Sequence, residues 1–457
     1  MNDQDRMGLL DYPPLVTDLQ SWTGAGQIRW REREWECQFA LSRLLNGRLR
    51  VIVEPEYRFT AFLQTGHFSF ELDGIADNGA RVTLGDIHIT RQIGPLGRDI
   101  LLGFARKATL RLAKELKRNA VFCELSNYSL HQRRGPVELS IKGFDITIEQ
   151  HRRALDQTVA MEEHASAYQH AAIRTYLGIK EISRDNFQDA ISCLHDIVDL
   201  QSIAFRGYVF VVGEYVEDFE AGEVTINFQE APFSSRAWGR PLVPSQSIEE
   251  FLVAAHPQCN GRIEKLELSH IVDHYLQALT LRSIWPRSVG IFTAMETLKS
   301  AYFRRNDTEE ASKVRYWVPP FETFRNNRKL LSEVVDVLAI HDDKFMGLTQ
   351  SERDSLRAQI YGLNRRSYIT QLRWLLSQLA VEYENTELRL FIDTRNDLIH
   401  RGTPVPVDTP LEEFEDKNTA AWEQVRETIS LFERTLLAFL NYSGPRELYR
   451  ESVRSVN

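Results

Sequence analysis

The sequence predicts an α+β protein, with a β-rich, sandwich- or barrel-like N-terminal half followed by an all-α helical bundle. Three observations lead to this prediction: short runs with two-residue alternation as far as residue 229, a stretch with three prolines at 231–247, and helical periodicity beyond it. The length of 457 residues suits a small number of ordinary domains. We therefore predict a β-rich domain at 1–245, a linker and connecting helix at 246–264, and a helical domain at 265–457.

The N-terminal half is predicted to form a series of short strands. Its runs are rich in β-branched and aromatic residues, and most are bounded by Gly, Asn or Pro. Short strands at regular spacing favour a sandwich or barrel over repeated βαβ units. The predicted strands span residues 30–39, 48–53, 67–72, 81–84, 87–89, 121–125, 137–141, 144–148, 208–212 and 223–228.

Helical periodicity appears in two segments of the first half and throughout the second. In residues 101–116 and 186–203 apolar side chains recur every three or four positions, so we expect two amphipathic helices inserted between strands. Residues 231–247 are rich in Pro and Ser, which is typical of a linker. The helices predicted beyond it span residues 248–255, 267–282, 289–304, 328–340, 351–363, 369–383, 386–401 and 418–441.

The charge of the chain is distributed unevenly. Its net charge is −9, but residues 270–457 carry 25 basic and 27 acidic side chains and are nearly neutral. Most of the acidity therefore belongs to the β-rich half. The strongly basic domain of a dedicated duplex-DNA binder is absent, and the β-rich half is not expected to be a non-specific nucleic-acid clamp.

Composition also bears on cofactors and compartment. The four cysteines, Cys37, Cys123, Cys193 and Cys259, form no CxxC pair, so we expect buried thiols in a reducing cytosol rather than a zinc site. No glycine-rich nucleotide loop is present. Residues 1–10 lack the features of a signal peptide, and no run approaches the roughly 18 apolar residues of a membrane span. We expect a cytoplasmic protein with no cofactor, no metal and no membrane association.

The most informative segment is 386–404, TELRLFIDTRNDLIHRGTP. Placed on a helix at about 100° per residue, Arg395 projects onto the middle of an apolar face, where its permanent charge needs partners. Asn396 and His400 are one turn apart at the border of this face. Gly402 and Pro404 then end the helix, so His400 lies in its last turn. The apolar side chains that share the face are Leu388, Phe391, Ile392, Leu398 and Ile399.

Two interpretations of this segment differ in what Arg395 and His400 do. In the structural one, Arg395 is packed and paired with a carboxylate, and His400 caps the helix C-terminus, where the helix dipole favours a cation. In the functional one, the string Arg395-Asn-Asp-Leu-Ile-His400 is a catalytic motif. The second interpretation depends on a resemblance to a known family.

That string resembles the R-polar-x3-H signature of the HEPN superfamily (higher eukaryotes and prokaryotes nucleotide-binding), with Asn396 as the polar residue. The context is also similar, because the motif lies near the end of an all-helical module and one more long helix follows. In an earlier predicted helix, IFTAMETLKSAYF, Glu296 sits among apolar residues and is the expected partner of Arg395. The resemblance covers residues 265–445, with an unusual intervening stretch at 306–366.

The resemblance implies a helical bundle that forms at least a homodimer and joins two motifs in one composite site. Many family members are metal-independent endoribonucleases, which implies Arg395, Asn396 and His400 as catalytic residues and Glu296 as a supporting residue. The residue types suit the reaction: His can transfer protons near neutral pH, and Arg can hold a phosphate with two parallel hydrogen bonds.

Further basic residues are candidates for substrate contacts. Arg401 directly follows the motif, and Arg365 and Arg366 lie beside Tyr361 and Tyr368 in a stretch that could form a basic and aromatic RNA track. A solvated helix face is the alternative interpretation of that stretch.

The whole-chain layout resembles the bacterial anti-phage ApeA-type HEPN proteins, in which a strand-rich N-terminal domain precedes a HEPN ribonuclease. This resemblance implies abortive-infection defence, with the N-terminal domain sensing a phage-derived trigger or gating the nuclease. RNA is then the substrate, and tRNA is one candidate.

Two other function classes remain open from the sequence. One is a non-catalytic HEPN module that binds RNA or a nucleotide, or only dimerises, attached to a ligand-binding β-domain. The other is a carbohydrate- or ligand-binding β-sandwich with a helical dimerisation tail, in which Trp30 or Trp35 stacks on the ligand, although a core role for either Trp is favoured. His270 and His274 have a zinc-compatible spacing, but they lack an obvious third ligand, which favours a structural or solvent-facing role.

Overall fold

The structure is a computed structural model that describes residues 21–43, 49–56, 69–93, 100–126, 136–150, 175–229, 240–259, 261–316, 367–401 and 410–449. The chain divides into two compact units, Met1–Pro257 with Gly444–Glu447, and Gln258–Ser443 with Leu448–Asn457. The first contains a β-barrel continued by an open sheet, and the second is helical. The predicted α+β class is confirmed at this level.

Within the described residues, twelve strands form one antiparallel sheet. Three of them, β1, β6 and β10, were not predicted as separate strands, and β5 is a single strand where the sequence predicts two runs. The strands are β1 Ser21–Trp30, β2 Arg33–Arg43, β3 Leu49–Pro55, β4 Ser69–Ala76, β5 Arg81–Ile93, β6 Ile100–Ala113, β7 Ala120–Ser126, β8 Val137–Ile141, β9 Phe144–Gln150, β10 Thr175–Lys180, β11 Phe210–Asp218 and β12 Glu223–Gln229.

Strands β1 to β6 close into a barrel, and β6 connects the barrel to the rest of the sheet. The order β3-β2-β1-β4-β5-β6 is closed by pairing of β3 with β6. The first part of β6, residues 101–105, pairs with β3, while residues 107–113 pair with β12. The sheet then continues in the order β12-β11-β7-β10-β9-β8.

The helix predicted at 101–116 is wrong, because this segment is β6. Apolar residues at 101, 105 and 108 fit helical spacing, whereas 101 and 105 alone also fit a strand, and pairing with strands on both edges decides between the two. Leu101, Gly103 and Ala105 are buried on alternate positions, and Ala108 and Leu110 continue the alternation after a shift by one residue. Because of this shift, buried positions alternate in each half of β6. Over the whole strand, however, their spacing resembles that of a helix.

The barrel core contains side chains from both parts of the sheet. Buried Phe70 of β4 belongs to the same apolar cluster as Tyr215 of β11 and Phe228 of β12. Trp30 and Trp35 are partly buried and pack against this cluster from β1 and β2, which form a hairpin rather than one continuous strand. Both tryptophans therefore contribute to the core, as the favoured interpretation of the sequence predicted.

Eight α-helices lie within the described residues. The helix predicted at 186–203 is confirmed as α1, and the helices predicted at 328–340 and 351–363 lie outside the described residues. The helix predicted at 369–383 ends earlier, and Ala380 adopts a left-handed conformation soon after its end, with φ 51°. The helices are α1 Phe187–Phe205, α2 Ile248–Ala255, α3 Arg262–Thr280, α4 Ile284–Arg305, α5 Glu309–Arg315, α6 Tyr368–Gln378, α7 Asn385–Arg401 and α8 Leu411–Phe439.

Of the stretch 231–247, predicted as a linker, the structure describes residues 240–247, and this part is packed. Leu242 and Val243 are buried, and the Val243 N–H donates to the Ala204 carbonyl at 3.1 Å. A short 3-10 turn, Ser245–Ser247, then leads into α2. These residues belong to the first unit, whose boundary falls after Pro257.

The helical unit has an aromatic and aliphatic core that fixes α7. The rings of Phe292 on α4 and Phe391 on α7 meet edge to face at 4.9 Å. Tyr275 on α3 and Phe432 on α8 form a second ring pair at 5.2 Å. Among the described residues, no helix combines the length and apolar character that crossing a membrane requires.

Candidate active site on the helical unit

The helix that carries the motif, α7, buries a narrower face than the sequence predicts. Leu388, Phe391 and Leu398 are buried together with Thr394, whose hydroxyl donates to the Leu390 carbonyl at 2.7 Å. Ile399 is exposed, contrary to its predicted place on the apolar face. The buried face is therefore rotated towards Thr394, and the neighbouring position 395 lies at its border rather than in its middle.

Arg395 and Glu296, which the sequence pairs, are in contact. A guanidinium nitrogen of Arg395 lies 3.4 Å from a carboxylate oxygen of Glu296 on α4, and the two side chains are 24% and 36% exposed. In the part of the chain that the structure describes, Arg395 makes no other hydrogen bond. Most of its five N–H donors are therefore available to a ligand.

Lys299 is a member of the site that sequence reasoning missed. Its ammonium lies 2.9 Å from the second carboxylate oxygen of Glu296, three residues earlier on α4, and its side chain is buried. Burial lowers the pKa of Lys299, and the nearby guanidiniums of Arg395 and Arg315 lower it further, against the opposing effect of Glu296. The signal that could have revealed it is the E-x-x-K spacing beside Glu296.

Tyr368, the first residue of α6, completes a cluster with Arg395, Glu296 and Lys299. The Arg395 guanidinium carbon lies 4.4 Å and the Lys299 ammonium 4.3 Å from its ring centre, which are cation–π distances. The hydroxyl is buried and has no hydrogen-bond partner among the described residues. Burial raises the pKa of Tyr368, so its hydroxyl stays protonated and remains a donor.

Asn396 and His400, the other two motif residues, differ from each other in exposure. His400 is exposed and Asn396 is half-buried, and His400 lies in the last turn of α7 as predicted. Neither side chain makes a hydrogen bond within the described residues. The imidazole and the amide are thus available for proton transfer and for hydrogen bonding to a ligand.

The remaining predicted residues lie outside what the structure describes. Arg365 and Arg366, Gly402 and Pro404 are not among the described residues, and of Arg401 only the backbone is described. The basic track proposed for substrate binding, with Arg401, Arg365 and Arg366, therefore stays a prediction.

Metal-binding groups are also covered only for the described residues. Among them, no three His, Cys, Asp or Glu side chains are grouped so as to hold a metal ion. His270 is exposed and His274 half-buried on α3. The four cysteines are buried and form no disulfide with one another, and burial raises the pKa of the Cys37 thiol to about 12.

A cavity of about 740 Å³ lies near the other end of α7. Its charged lining is acidic apart from Arg434, which pairs with Glu387. Burial raises the pKa of Glu387, although Arg434 opposes this shift. Glu387 and His400 are 13 residues apart, about 20 Å along a helix, so the cavity is separate from the motif. Its acidic members are Glu382, Glu384, Glu387 and Glu427.

The arrangement around the motif combines an anion-binding side with a proton-transfer group. Arg395 and Lys299 share one carboxylate and face the ring of Tyr368, while the exposed imidazole of His400 lies one and a half turns farther along α7. The cationic side can bind a negatively charged group, and the imidazole, about 140° round α7 from Arg395, can transfer a proton. Comparisons of the chain with protein-family models, with curated proteins and with solved structures find no match.

Proposed function

We propose that this protein is a metal-independent endoribonuclease of the HEPN type, with Arg395, Asn396 and His400 as its catalytic residues and Glu296 as a supporting residue. The observation that carries the proposal is the availability of these groups on one helix. Within the described residues Arg395 makes a single hydrogen bond, at 3.4 Å, besides its cation–π contact with Tyr368, and His400 and Asn396 make no hydrogen bond. A purely structural Arg–His helix end predicts a satisfied Arg instead.

The chemistry needs a base, an acid and a cation. A His400 imidazole removes the proton from the 2′-OH, and the 2′-oxygen attacks the adjacent phosphorus. The bond from phosphorus to the 5′-oxygen breaks, and a second imidazolium gives its proton to that oxygen. Arg395 stabilises the charge of the phosphorane, and Asn396 orients the phosphate. The products are a 2′,3′-cyclic phosphate and a 5′-hydroxyl, and no metal takes part.

Two copies of the chain supply the two imidazoles. One helix carries one motif His, so base and acid require a homodimer or a larger assembly that brings two α7 helices together. The exposed Ile399 beside His400 supports this arrangement, since apolar surface next to the motif suits a second copy. A monomer with full activity would contradict the composite site.

We propose a sensing or gating role for the β-rich unit, in anti-phage defence by abortive infection. Support comes from the order of the two units, a β-rich unit before a helical one, which resembles ApeA-type proteins. A phage-derived trigger would act on the β-rich unit, and the nuclease would cleave RNA in the cytoplasm, with tRNA as one candidate substrate.

The direct test is cleavage of total RNA by the purified full chain in the presence of EDTA. Wild type should give 2′,3′-cyclic phosphate ends, and His400→Ala should lower the rate by about 100-fold or more. His270→Ala, which changes an exposed His on α3, is the matched control and should leave the rate unchanged. Cleavage by His400→Ala at the wild-type rate would refute the assignment, and RNA binding without cleavage would favour a non-catalytic module.

A further inference from the structure

The cluster around Tyr368 has more positive than negative charge. Lys299 and Arg395 both bind Glu296, at 2.9 Å and 3.4 Å, and Arg315 lies close enough to lower the pKa of Lys299. One carboxylate therefore pairs with two cations in this group, and the charge of Arg315 adds to theirs at Lys299. Because Lys299 is buried, its charge is poorly solvated, and an anion placed beside it would be stabilised.

The Tyr368 hydroxyl is a donor without an acceptor. It is buried and has no hydrogen-bond partner among the described residues. Buried polar groups in folded proteins are rarely left in this state, so an unmade bond points to a ligand. The raised pKa keeps the group protonated at neutral pH, so the missing partner is an acceptor.

The cluster is open to a ligand on the side of Arg395. Arg395 and Glu296 are partly exposed, and their contact is longer than the one between Lys299 and Glu296. Glu296 can therefore stay with Lys299 while Arg395 turns its remaining donors outward. Two cations lie over the ring of Tyr368, and its hydroxyl adds an O–H donor; this set of donors suits a tetrahedral oxyanion with several acceptor oxygens.

We propose that Lys299 and Tyr368 bind, together with Arg395, the backbone phosphate of a single-stranded RNA. The proposal rests on the proposed function, since it assigns both residues to the phosphate that Arg395 contacts. Lys299 supplies a second positive charge to this phosphate, and Tyr368 supplies a hydrogen bond through its hydroxyl. Glu296 holds Lys299 in place and limits the excess charge when the site is empty.

Binding is tested without cleavage by using a single-stranded 2′-O-methyl RNA, which lacks the attacking hydroxyl. We expect Lys299→Met to weaken binding by the full chain at least about 10-fold and to lower the salt-dependence slope by about 0.7, the value for one phosphate contact. Tyr368→Phe should weaken binding about 5-fold without changing the slope. Fluorescence anisotropy at several salt concentrations measures both quantities.

Two control variants match the chemistry of these changes. Lys417→Met removes an exposed ammonium on α8, and Tyr302→Phe removes a hydroxyl on α4, the helix that carries Lys299. Both should bind RNA like wild type. Tyr368→Phe keeps the test decisive if Lys299→Met folds poorly, because it deletes only a hydroxyl that has no partner.

The outcomes separate this proposal from the proposed function. If Lys299→Met and Tyr368→Phe bind RNA as tightly as wild type, the phosphate subsite is wrong even where wild type cleaves RNA. If wild type does not cleave RNA but both variants weaken binding, the nuclease assignment is wrong and the subsite stands. Titration with inorganic phosphate adds a second arm: a site that binds phosphate but not the oligonucleotide would overturn the assignment to RNA.

Discussion

Two clusters of the same three residue types, an Arg, a Glu and a Tyr, lie in different units and differ in how completely they are enclosed. In the β-rich unit, Arg43 and Glu124 form an ion pair at 2.7 Å, with the side chains 6% and 1% exposed. The Tyr215 hydroxyl donates to the same carboxylate at 2.9 Å, and Arg43 also lies over the ring of Phe228. The three side chains therefore pair with one another in a closed environment, although one buried nitrogen of Arg43, Nε, makes no hydrogen bond within the described residues.

The cluster in the helical unit is less buried and its side chains are less completely paired. The Arg395–Glu296 contact is longer and more exposed, and the Tyr368 hydroxyl has no partner among the described residues. A closed and paired cluster stabilises the fold, because any change leaves a charge buried without compensation. An open and incompletely paired cluster retains donors for a ligand. The comparison therefore predicts that changes in the first cluster alter stability, and changes in the second alter activity.

The largest effect on stability is expected for Glu124→Gln. This variant leaves the Arg43 guanidinium buried without its counter-charge, which costs about 3–5 kcal/mol. Urea unfolding measures the loss, and faster hydrogen exchange in β7 assigns it to the β-rich unit. The double change Arg43→Met with Glu124→Leu should recover most of the stability, because it removes both charges together.

Glu296→Gln is the matched change in the helical unit. The Glu296 carboxylate is 36% exposed, but Lys299 is left buried without its counter-charge and keeps only the Gln oxygen as an acceptor, so the unfolding free energy should fall by about 1–3 kcal/mol, less than for Glu124→Gln. Equal losses for Glu124→Gln and Glu296→Gln would break the distinction between the two clusters.

The second expected effect is on activity. Arg395→Lys keeps the positive charge but loses the planar fork that holds a phosphate, so RNA cleavage should fall about 100-fold while the urea midpoint stays unchanged. Arg43→Lys should show the reverse pattern, with a lower midpoint and wild-type cleavage. A large loss of stability in Arg395→Lys would instead favour the structural interpretation of that residue.

Part of the fold could be predicted from the sequence because local patterning agrees with the final environment. The strands with strict alternation, such as β3 and β12, and the helices α1 and α7 appear where the periodicity predicts them. In β6 the pattern is ambiguous, and partners distant in the chain decide the outcome. Closure of the barrel through β3 and β6 is a tertiary event with no local signal.

The candidate site, like the fold, could be predicted in part from local sequence, and the rest depends on tertiary packing. Arg395 and Glu296 could be paired from the sequence, because a charge among apolar residues on one helix requires an opposite charge on a neighbour. Tyr368 could not be assigned to them, since it is separated from Glu296 by more than 70 residues and its place depends on how α6 packs. Sequence periodicity shows which face of a helix is buried, but it does not show which neighbour covers that face.

The two tyrosines provide a finer comparison. Tyr215→Phe deletes a hydrogen bond to a buried carboxylate, and the unfolding free energy should fall by about 2 kcal/mol. Tyr368→Phe deletes a hydroxyl with no described partner, so stability should stay constant or rise by up to about 1 kcal/mol. Thermal or urea unfolding of both variants checks the pair. A clear loss of stability in Tyr368→Phe would mean that its hydroxyl is already paired.

The smallest expected effect concerns Glu214, a carboxylate that is less enclosed than Glu124 and more enclosed than Glu296. Glu214 precedes Tyr215 on β11 and therefore points to the opposite face of the sheet, where it contacts His195 of α1 at 3.2 Å and is 19% exposed. Asn227 donates to its other oxygen at 3.0 Å. The hydrogen bond from His195 lowers the pKa of Glu214 more than burial raises it.

The sign of the pH dependence follows from this direction. Because the pKa of Glu214 is lower in the folded state, the unfolded state binds more protons in acid, and stability falls as pH drops. The stabilising contribution of Glu214 is complete above its unfolded-state pKa of about 4.3. It is lost as pH falls through the lower pKa of the folded state. Glu214→Gln and His195→Gln should each reduce the loss of unfolding free energy between pH 6 and pH 3 by about 1 kcal/mol, the worth of one hydrogen bond. Urea unfolding at each pH measures this loss. An unchanged loss of stability in both variants would mean that the contact of His195 on α1 with Glu214 on the sheet carries no pH-dependent stability.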